Sequence, residues 1–418
     1  MKILVIGSGA REHAVVWKLL QGPGIEEILV APGNAGTGLI ASNLPISATD
    51  IPALVKTARQ NNVTFTFVGP ETPLAAGIVD EFQAAGLPIF GPSRAASRIE
   101  SSKVFSKDLM HKYGIPTAAS RAFTSFETAS AYVKTQSPPI VIKADGLAAG
   151  KGVVIAQSVE DALAALKSMM QDKEFGASGE RVVIEEFLTG REMSVFAFTD
   201  GLSISSPVTA CDYKRVFDAN QGPNTGGMGS FSPPEFYSDE LGERAMREIM
   251  RPTIKALDAE SSRYSGVLYG GLMLTPGGLK TIEFNCRLGD PETQVIMPRL
   301  ETGLAEIALA VIEHRLGKLE IKWSAEPCVG VVMASGGYPG HYETGLPVSG
   351  LGDLDDDVMV FQAGTKLDAS GKVLTSGGRV LTVVAKGETL AQARQKVYNN
   401  ISRISFKDAH YRKDIALF

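Results

Sequence analysis

Apolar positions in the first hundred residues follow two alternating periods. Short unbroken apolar runs at residues 2–6, 27–30, 65–68 and 88–90 read as buried strands. Between them, residues 11–20, 52–60 and 74–85 read as helices with one buried face. This alternation predicts a parallel sheet with helices on both faces, and such sheets bind ligands beyond the carboxyl ends of their strands. Loops emerge there at residues 7–12 (GSGARE), 32–37 (PGNAGT), 69–71 (GPE) and 91–93 (GPS).

The pattern then changes. Residues 102–113 read as a helix with Lys103 at its start, where a cation opposes the helix dipole and points to a ligand anion nearby. A small α/β unit is expected over 121–190: strand 139–143, a Gly/Ala loop, strand 153–155 antiparallel to the first, helix 159–170 and strand 181–185. A larger antiparallel unit follows. It has strands at 193–198 and 203–206, a charged cluster at 211–215, a long loop over 220–234 and a helix over 239–260. A hairpin of strands 268–274 and 279–284 closes it. Residues 326–418 read as a separate α+β piece with strands 329–333, 358–362 and 379–384 and a helix over 390–401. Its glycine stretches 336–340 and 376–378 read as turns, and no chemistry is expected of them. The fold class is therefore α/β and α+β, multidomain. The expected divisions are 1–101, 102–325 (with a lid subdomain at 121–190) and 326–418.

Composition narrows the functional classes. The 418 residues exceed one ordinary core, and 44% hydrophobic with 21% charged content fits a soluble globular protein. A net charge of −5 without a basic tract excludes a nucleic-acid footprint. The three cysteines are too dispersed for a disulfide framework or a metal site, which suits a reducing cytoplasmic compartment. No apolar run reaches about 18 residues, so no membrane span is expected, and the N-terminal run is too short for a signal peptide. The five histidines are scattered and read as structural.

The densest chemistry lies at residues 281–294, TIEFNCRLGDPETQ. Strand alternation puts Glu283, Asn285 and Arg287 on one face and Ile282, Phe284 and Cys286 on the other, with Ile282 and Phe284 toward the core. A carboxylate beside an amide oxygen is hard-oxygen ligation suited to Mg²⁺ on nucleotide phosphates. An arginine two residues on can grip a carboxylate or a transferring phosphoryl group. Gly289 and Asp290 then form a turn that reads as a site wall. Lys143 ends one strand, and the following loop, with Gly146, Gly150, Lys151 and Gly152, reads as a phosphate lid. It is not a Walker A loop, which joins a strand to a helix. Glu185, Glu186, Phe187 and Leu188 read as a hinge whose backbone meets a purine edge, with Glu192 placed for ribose hydroxyls. The first loop, by contrast, fails the dinucleotide fingerprint, because Glu12 stands where a third glycine belongs. A single phosphate with a sugar fits better, with Asn34 and Glu71 available for hydroxyls or an amine.

Together, the Lys143 strand, DGLAAGKGV, VIEEFLTGRE and IEFNCRLGDPE resemble the ATP-grasp fold. With GSGAREHA, APGNAGT, VGPE, IFGPS and GPNTGGMG, and HYETGLPVSG, AGTK and SGGRVLTVVA near the end, the chain resembles the glycinamide ribonucleotide synthetases (phosphoribosylamine–glycine ligases). Departures are few: Ala10, Tyr213 and Leu288 stand where a glycine, a histidine and a phenylalanine are common. The resemblance implies ATP-dependent ligation of glycine to 5-phosphoribosylamine through a glycyl phosphate, a step of purine synthesis. It implies Mg²⁺ or Mn²⁺ on Glu283 and Asn285, ATP phosphates on Lys103 and Lys143, adenine along residues 185–188 and ribose on Glu192. Arg287 would stabilise the transferring group. Asp212, Lys214, Thr225, Gly226, Gly227 and Met228 would lie near glycine and the phosphosugar. Gly9, Arg11, Asn34, Glu71, Gly289 and Asp290 would complete the phosphoribosylamine site. The instability of that amine leaves room for transient contact with the enzyme that makes it. Two alternatives remain beside this reading, an ATP-grasp ligase for another carboxylate and a nucleotide-binding module without catalysis.

Overall fold

The computed structural model describes residues 1–147, 152–174 and 176–417. Three large sheets and two two-stranded ones organise these residues. The first is five-stranded and parallel, in the order Ser42–Asn43, Glu27–Pro32, Lys2–Gly7, Phe65–Val68, Ile89–Phe90. Helices Ala10–Leu20, Ile51–Gln60 and Ile78–Ala84 cover it, as the sequence pattern predicts. The helix expected over 74–85 is two, Glu71–Ala76 and Ile78–Ala84, broken at Gly77 with φ +90°. The 32–37 loop is shorter than expected. The Asn34 side chain accepts from Thr37 N and caps a short helix, Ala35–Ile40.

The second sheet has four antiparallel strands, Ser120–Phe123, Val182–Glu186, Ile140–Ala144 and Val153–Ala156. Ile140, Ile142 and Ala144 pack into one apolar cluster with helices Phe126–Val133 and Val159–Met170. The alternate residue Lys143 therefore points to the opposite face of this sheet.

The third sheet has eight strands and differs most from the sequence reading. Its order is Gly278–Asn285, Gly266–Thr275, Arg191–Thr199, Val208–Asp212, Gly229–Ser232, Cys328–Ala334, Arg379–Lys386, Val358–Gln362. The C-terminal strands thus form no sheet of their own; they extend the sheet that carries residues 278–285. The join is Gly229–Ser232, a strand inside the stretch read as a long loop, and the same stretch holds a hairpin of Arg215–Phe217 with Gln221–Asn224. Its glycines hid it: a Cβ at Gly229 would come within 2.8 Å of Gly330 O, so the close pairing requires what propensity disfavours. Residues 203–206 contribute only an isolated bridge at Ile204.

The helix expected over 239–260 is Asp239–Ala245 and Arg251–Ala259 joined by a π-helical turn, Met246–Met250, next to Pro252, which lacks an amide N–H. Among the described residues no helix is long and apolar enough to cross a membrane.

Candidate active site

Strand Gly278–Asn285 supplies the centre of the site. A bulge between Gly271 and Leu272 puts Glu283 opposite Gly271 and Thr281 opposite Leu272, leaving Ile282 unpaired. Ile282 therefore leaves the core position expected of it, while Phe284 keeps its own among the buried cluster. The carbonyl of Ile282, left out of the strand pairing, accepts from Lys143 Nζ at 3.1 Å. The strand ends at Asn285, so Arg287 reaches the site from a bend.

Charged groups converge there. Burial pushes the Glu283 carboxyl up, but Lys214, Lys143, Lys103 and Arg287 outweigh it and hold the group below the usual carboxylate range. Each of these cations makes its short contacts elsewhere. Lys143 lies 3.1 Å from Glu185, Lys214 lies 3.0 Å from Glu192, and Lys103 donates to Gly146 O at 2.8 Å. Arg287 pairs with Glu71 at 3.2 Å and Glu100 at 2.8 Å, and its Nη2 donates to Asn285 Oδ1 at 3.2 Å. Glu283 is thus an ionised carboxylate facing cations, with the amide oxygen of Asn285 nearby. Among the described residues no set of three His, Cys, Asp or Glu could hold a metal alone. The donors fit a hard divalent ion only when a ligand's phosphate oxygens complete the shell.

Several expected residues take unforeseen partners. The anion at the start of helix Lys103–Lys112 comes from the protein: Asp145 accepts from Val104 N at 3.1 Å and from Ser102 Oγ. Glu185 is buried between Lys107 and Lys143. Glu186 points outward to Lys280 at 2.6 Å, Phe187 is exposed and Leu188 half-buried. A cavity of about 270 Å³ opens beside this hinge against Tyr132 and Gln136. Tyr132 packs on the helix-covered side of the lid sheet, away from Lys143. Gly146 and Gly152 are described; Gly150 and Lys151 lie outside the described residues. Burial pushes the Asp212 carboxyl up to about 7, with Lys214 opposing and Glu292, Glu192 and Glu283 reinforcing the rise.

A second cavity, of about 380 Å³, opens where the N-terminal loops meet the C-terminal strands, with Gly9, Asn34, Asp290, Tyr338, Thr365 and Arg379 in its wall. Here the expectation for Asn34 changes. Its Nδ2 donates to Ser8 O and Gln362 O and its Oδ1 accepts from Thr37, so its polar atoms shape the wall. Glu12 explains the missing third glycine: its carboxylate accepts from Gly9 N at 2.6 Å and from Arg11 Nε at 2.5 Å. A Cβ at Gly7 or Gly69 would strike Glu12. The helix start that would receive a pyrophosphate in a dinucleotide site holds a protein carboxylate instead. The Gly9 amide is likewise taken and not free for the single phosphate expected at this loop.

Sequence reasoning missed the C-terminal contribution. Arg379 Nη1 donates to Gly226 O at 2.6 Å and Asp290 O at 2.9 Å and lies 3.3 Å from the Asp290 carboxylate. Gly226 N donates to Tyr338 Oη at 3.0 Å. A Cβ at Gly226 would press the Arg379 guanidinium, and one at Gly227 would meet Pro291 at 2.3 Å. Thr225 is spent within the loop, donating to Lys214 O and accepting from Gly227 N. The Met228 side chain is buried against Val216 and Ala334, away from the substrate position expected of it. Gly289 leaves room for the Glu292 carboxylate, which accepts from Ser194 and Tyr269. Arg11 donates to Leu288 O, joining the first loop to the 288–290 turn. Arg379, straight after a Gly-Gly turn, was the only local signal for this arrangement.

Comparison with known proteins agrees with this layout. Residues 1–100, 101–293 and 328–417 match, in turn, the N domain, the ATP-grasp (A) domain and the C domain of phosphoribosylglycinamide synthetase. The chain is 49% identical over 415 residues to a phosphoribosylamine–glycine ligase of Halalkalibacterium halodurans, covering 99% of this chain and 96% of that protein. It is also 49% identical over 420 residues to one of Escherichia coli K12, covering 99% and 98%. The crystal structure of phosphoribosylamine–glycine ligase from Thermotoga maritima superposes with a TM-score of 0.86 at 34% identity, covering 99% of this chain and all of that one. A biotin carboxylase from Campylobacter jejuni shares the fold at 16% identity, with a TM-score of 0.72 over 100% and 94% of the two chains. Full-length identity near one half, all three domains in order and a shared fold leave one placement: the chain belongs to the phosphoribosylglycinamide synthetase family.

Proposed function

We propose that this chain ligates glycine to 5-phosphoribosylamine at the expense of ATP, yielding glycinamide ribonucleotide, ADP and phosphate. The observation that carries the reading is the pairing of an ionised Glu283, ringed by Lys103, Lys143, Lys214 and Arg287, with a second cavity walled by Gly9, Asp290 and Arg379. One region suits a polyphosphate and the other a small polar phosphosugar, and the 288–290 turn runs between them.

A carboxylate and an amine form a salt at neutral pH, so the carboxylate needs a leaving group. ATP supplies it by phosphorylating glycine; the amine nitrogen then attacks the acyl carbon, phosphate leaves and the nitrogen loses a proton. Such chemistry asks the protein for positioning and charge neutralisation. Lys103 and Lys143 bind phosphates, residues 185–188 meet adenine and Glu192 meets ribose. Arg287 donates to Glu71, Glu100, Asn285 Oδ1 and Leu288 O, and would turn part of its guanidinium from these partners to the transferring phosphoryl group. Glu283 and Asn285 would hold Mg²⁺ or Mn²⁺, which when bound neutralises phosphate charge. Asp212, with its pKa near neutrality, is suited to take the proton shed by the amine, and Lys214 neighbours it. The 145–152 loop excludes water that would hydrolyse the acyl phosphate.

In this reading residues 1–101 contribute the phosphosugar loops. Residues 102–325, with the lid at 121–190, activate glycine, and residues 326–418 close the phosphosugar cavity. The amine substrate decomposes readily, which favours transient contact with the enzyme that supplies it, in a cytoplasmic setting. The test is ADP release from ATP with glycine, with phosphoribosylamine present or absent. Release requiring both, one amide per ADP, is expected. Release with another carboxylate in place of glycine would keep the fold and reject the substrate.

A further inference from the structure

Behind the metal-facing strand lies a buried group of charges that the mechanism above does not use in full. Lys107 enters from helix Lys103–Lys112, and its Nζ lies 2.9 Å from Glu185 Oε2. The same ammonium donates to Thr117 Oγ1 at 2.8 Å, and Thr117 donates to Thr281 O at 2.8 Å. Lys143 approaches the other oxygen of the same carboxylate, Glu185 Oε1, at 3.1 Å. The side chains of all three are at most 6% exposed.

The two contacts are unequal. Lys107 is braced through Thr117 onto the backbone beside Glu283. Glu185 Oε1, by contrast, is a buried oxygen with an ion-pair neighbour but no hydrogen bond of proper geometry. One buried carboxylate thus faces two ammonium groups. Burying a charge without a counter-charge is costly, so the surplus cation suits an anion that arrives from outside.

Resting on the reading that Lys143 serves nucleotide phosphates, we propose that Lys107 is a positioning residue. It keeps Glu185 neutralised and oriented so that Lys143 can leave that carboxylate for the incoming phosphates. Lys107 itself touches no phosphate. Without it, Lys143 is the only partner of a buried carboxylate, and phosphate binding must leave Glu185 unpaired.

The exchange is tested by titration calorimetry on the full chain, with inorganic tripolyphosphate and with ADP, each with Mg²⁺. Tripolyphosphate reports the phosphate subsite without the base. Lys107→Met should weaken tripolyphosphate binding by roughly tenfold, the order seen when one member of a close charge pair is lost. Lys107→Arg should stay within about threefold, because the charge is kept. Adding Glu185→Gln to Lys107→Met should recover most of the loss, because a neutral amide does not hold Lys143 back. A merely structural role for Lys107 offers no reason for that rescue. Wild-type binding by Lys107→Met, or a double variant no better than the single one at equal Tm, overturns the proposal. If Lys107→Met does not fold, Glu185→Gln alone decides: tripolyphosphate binding equal to or tighter than wild type supports the exchange, and weaker binding overturns it. A wild-type chain that binds neither probe rejects the nucleotide-site reading itself.

Discussion

The charged cleft around Glu283 and the cavity between the N-terminal loops and the C-terminal strands are built in opposite ways. The cleft is centred on strands: Lys143, Glu185, Glu283 and Asn285 belong to them, while Lys103 comes from a helix start and Lys214 and Arg287 from the ends of strands. Strand alternation places the strand residues, with a bulge beside Glu283, and each cation is already engaged by a neighbouring carboxylate or carbonyl. The cavity is lined by loops and backbone from segments more than 300 residues apart, fastened by Arg379, Tyr338 and Asn34. A site for a highly charged ligand can be made from side chains whose spacing repeats along a strand. A site for a small polar ligand needs donors and acceptors at particular points, and backbone groups meet that need when glycines let segments approach.

The comparison breaks first at Glu283. Glu283→Ala should abolish turnover, by about 10³-fold or more in kcat, because the ionised oxygen donor among the cations is lost. ADP release at saturating Mg²⁺ checks it, and activity near wild type would remove Glu283 from the site. Next is Arg287→Lys. The guanidinium spans Glu71 and Glu100 at once, which a point charge cannot do, so kcat should fall about 10²-fold with little change in KM for ATP. A change confined to that KM would make Arg287 a ground-state ligand.

Arg379 sharpens the contrast. Arg379→Met releases Gly226, Asp290 and the 226–227 loop together. It should raise KM for phosphoribosylamine about tenfold while leaving MgADP affinity alone. Equal losses for both ligands would show the two regions to be one unit.

The last concerns the seam between the N-terminal and C-terminal parts. His13 Nδ1 accepts from Gln362 N at 2.9 Å, and burial pulls its pKa from 6.5 down to about 4. The folded state resists the proton that the unfolded chain accepts. This stabilisation is present above pH 6.5 and is lost as the pH falls through about 4. The loss amounts to about 3 kcal/mol over that window. Thermal unfolding from pH 7 to pH 4 should show the decline, and a His13→Gln variant should flatten it. An unchanged slope would mean that His13 does not govern it.

Much of this was legible because local physics sets it. The buried strands at 2–6 and 65–68, the helix at 159–170, the hairpin that carries Glu283 and the lysine before the lid follow from period, capping and turn chemistry. The failure of the dinucleotide fingerprint at Glu12 could also be read directly. Its cause could not: only the folded chain brings the Glu12 carboxylate against Gly7, Gly9 and Gly69. The same limit hid the strand Gly229–Ser232, because a glycine strand has little propensity of its own and forms where two neighbours close on it.

The sequence by itself determined the layered class and the acidic–amide–basic triplet at 283, 285 and 287, both of which rest on spacings of a few residues. Only the tertiary structure decided that the C-terminal strands extend the central sheet, that Arg379 and Tyr338 wall the second cavity and that Lys107 shares Glu185 with Lys143. Those are long-range pairings between segments whose local patterns carry no mark of one another. They exist because buried charges and backbone groups must find partners, wherever along the chain those partners lie.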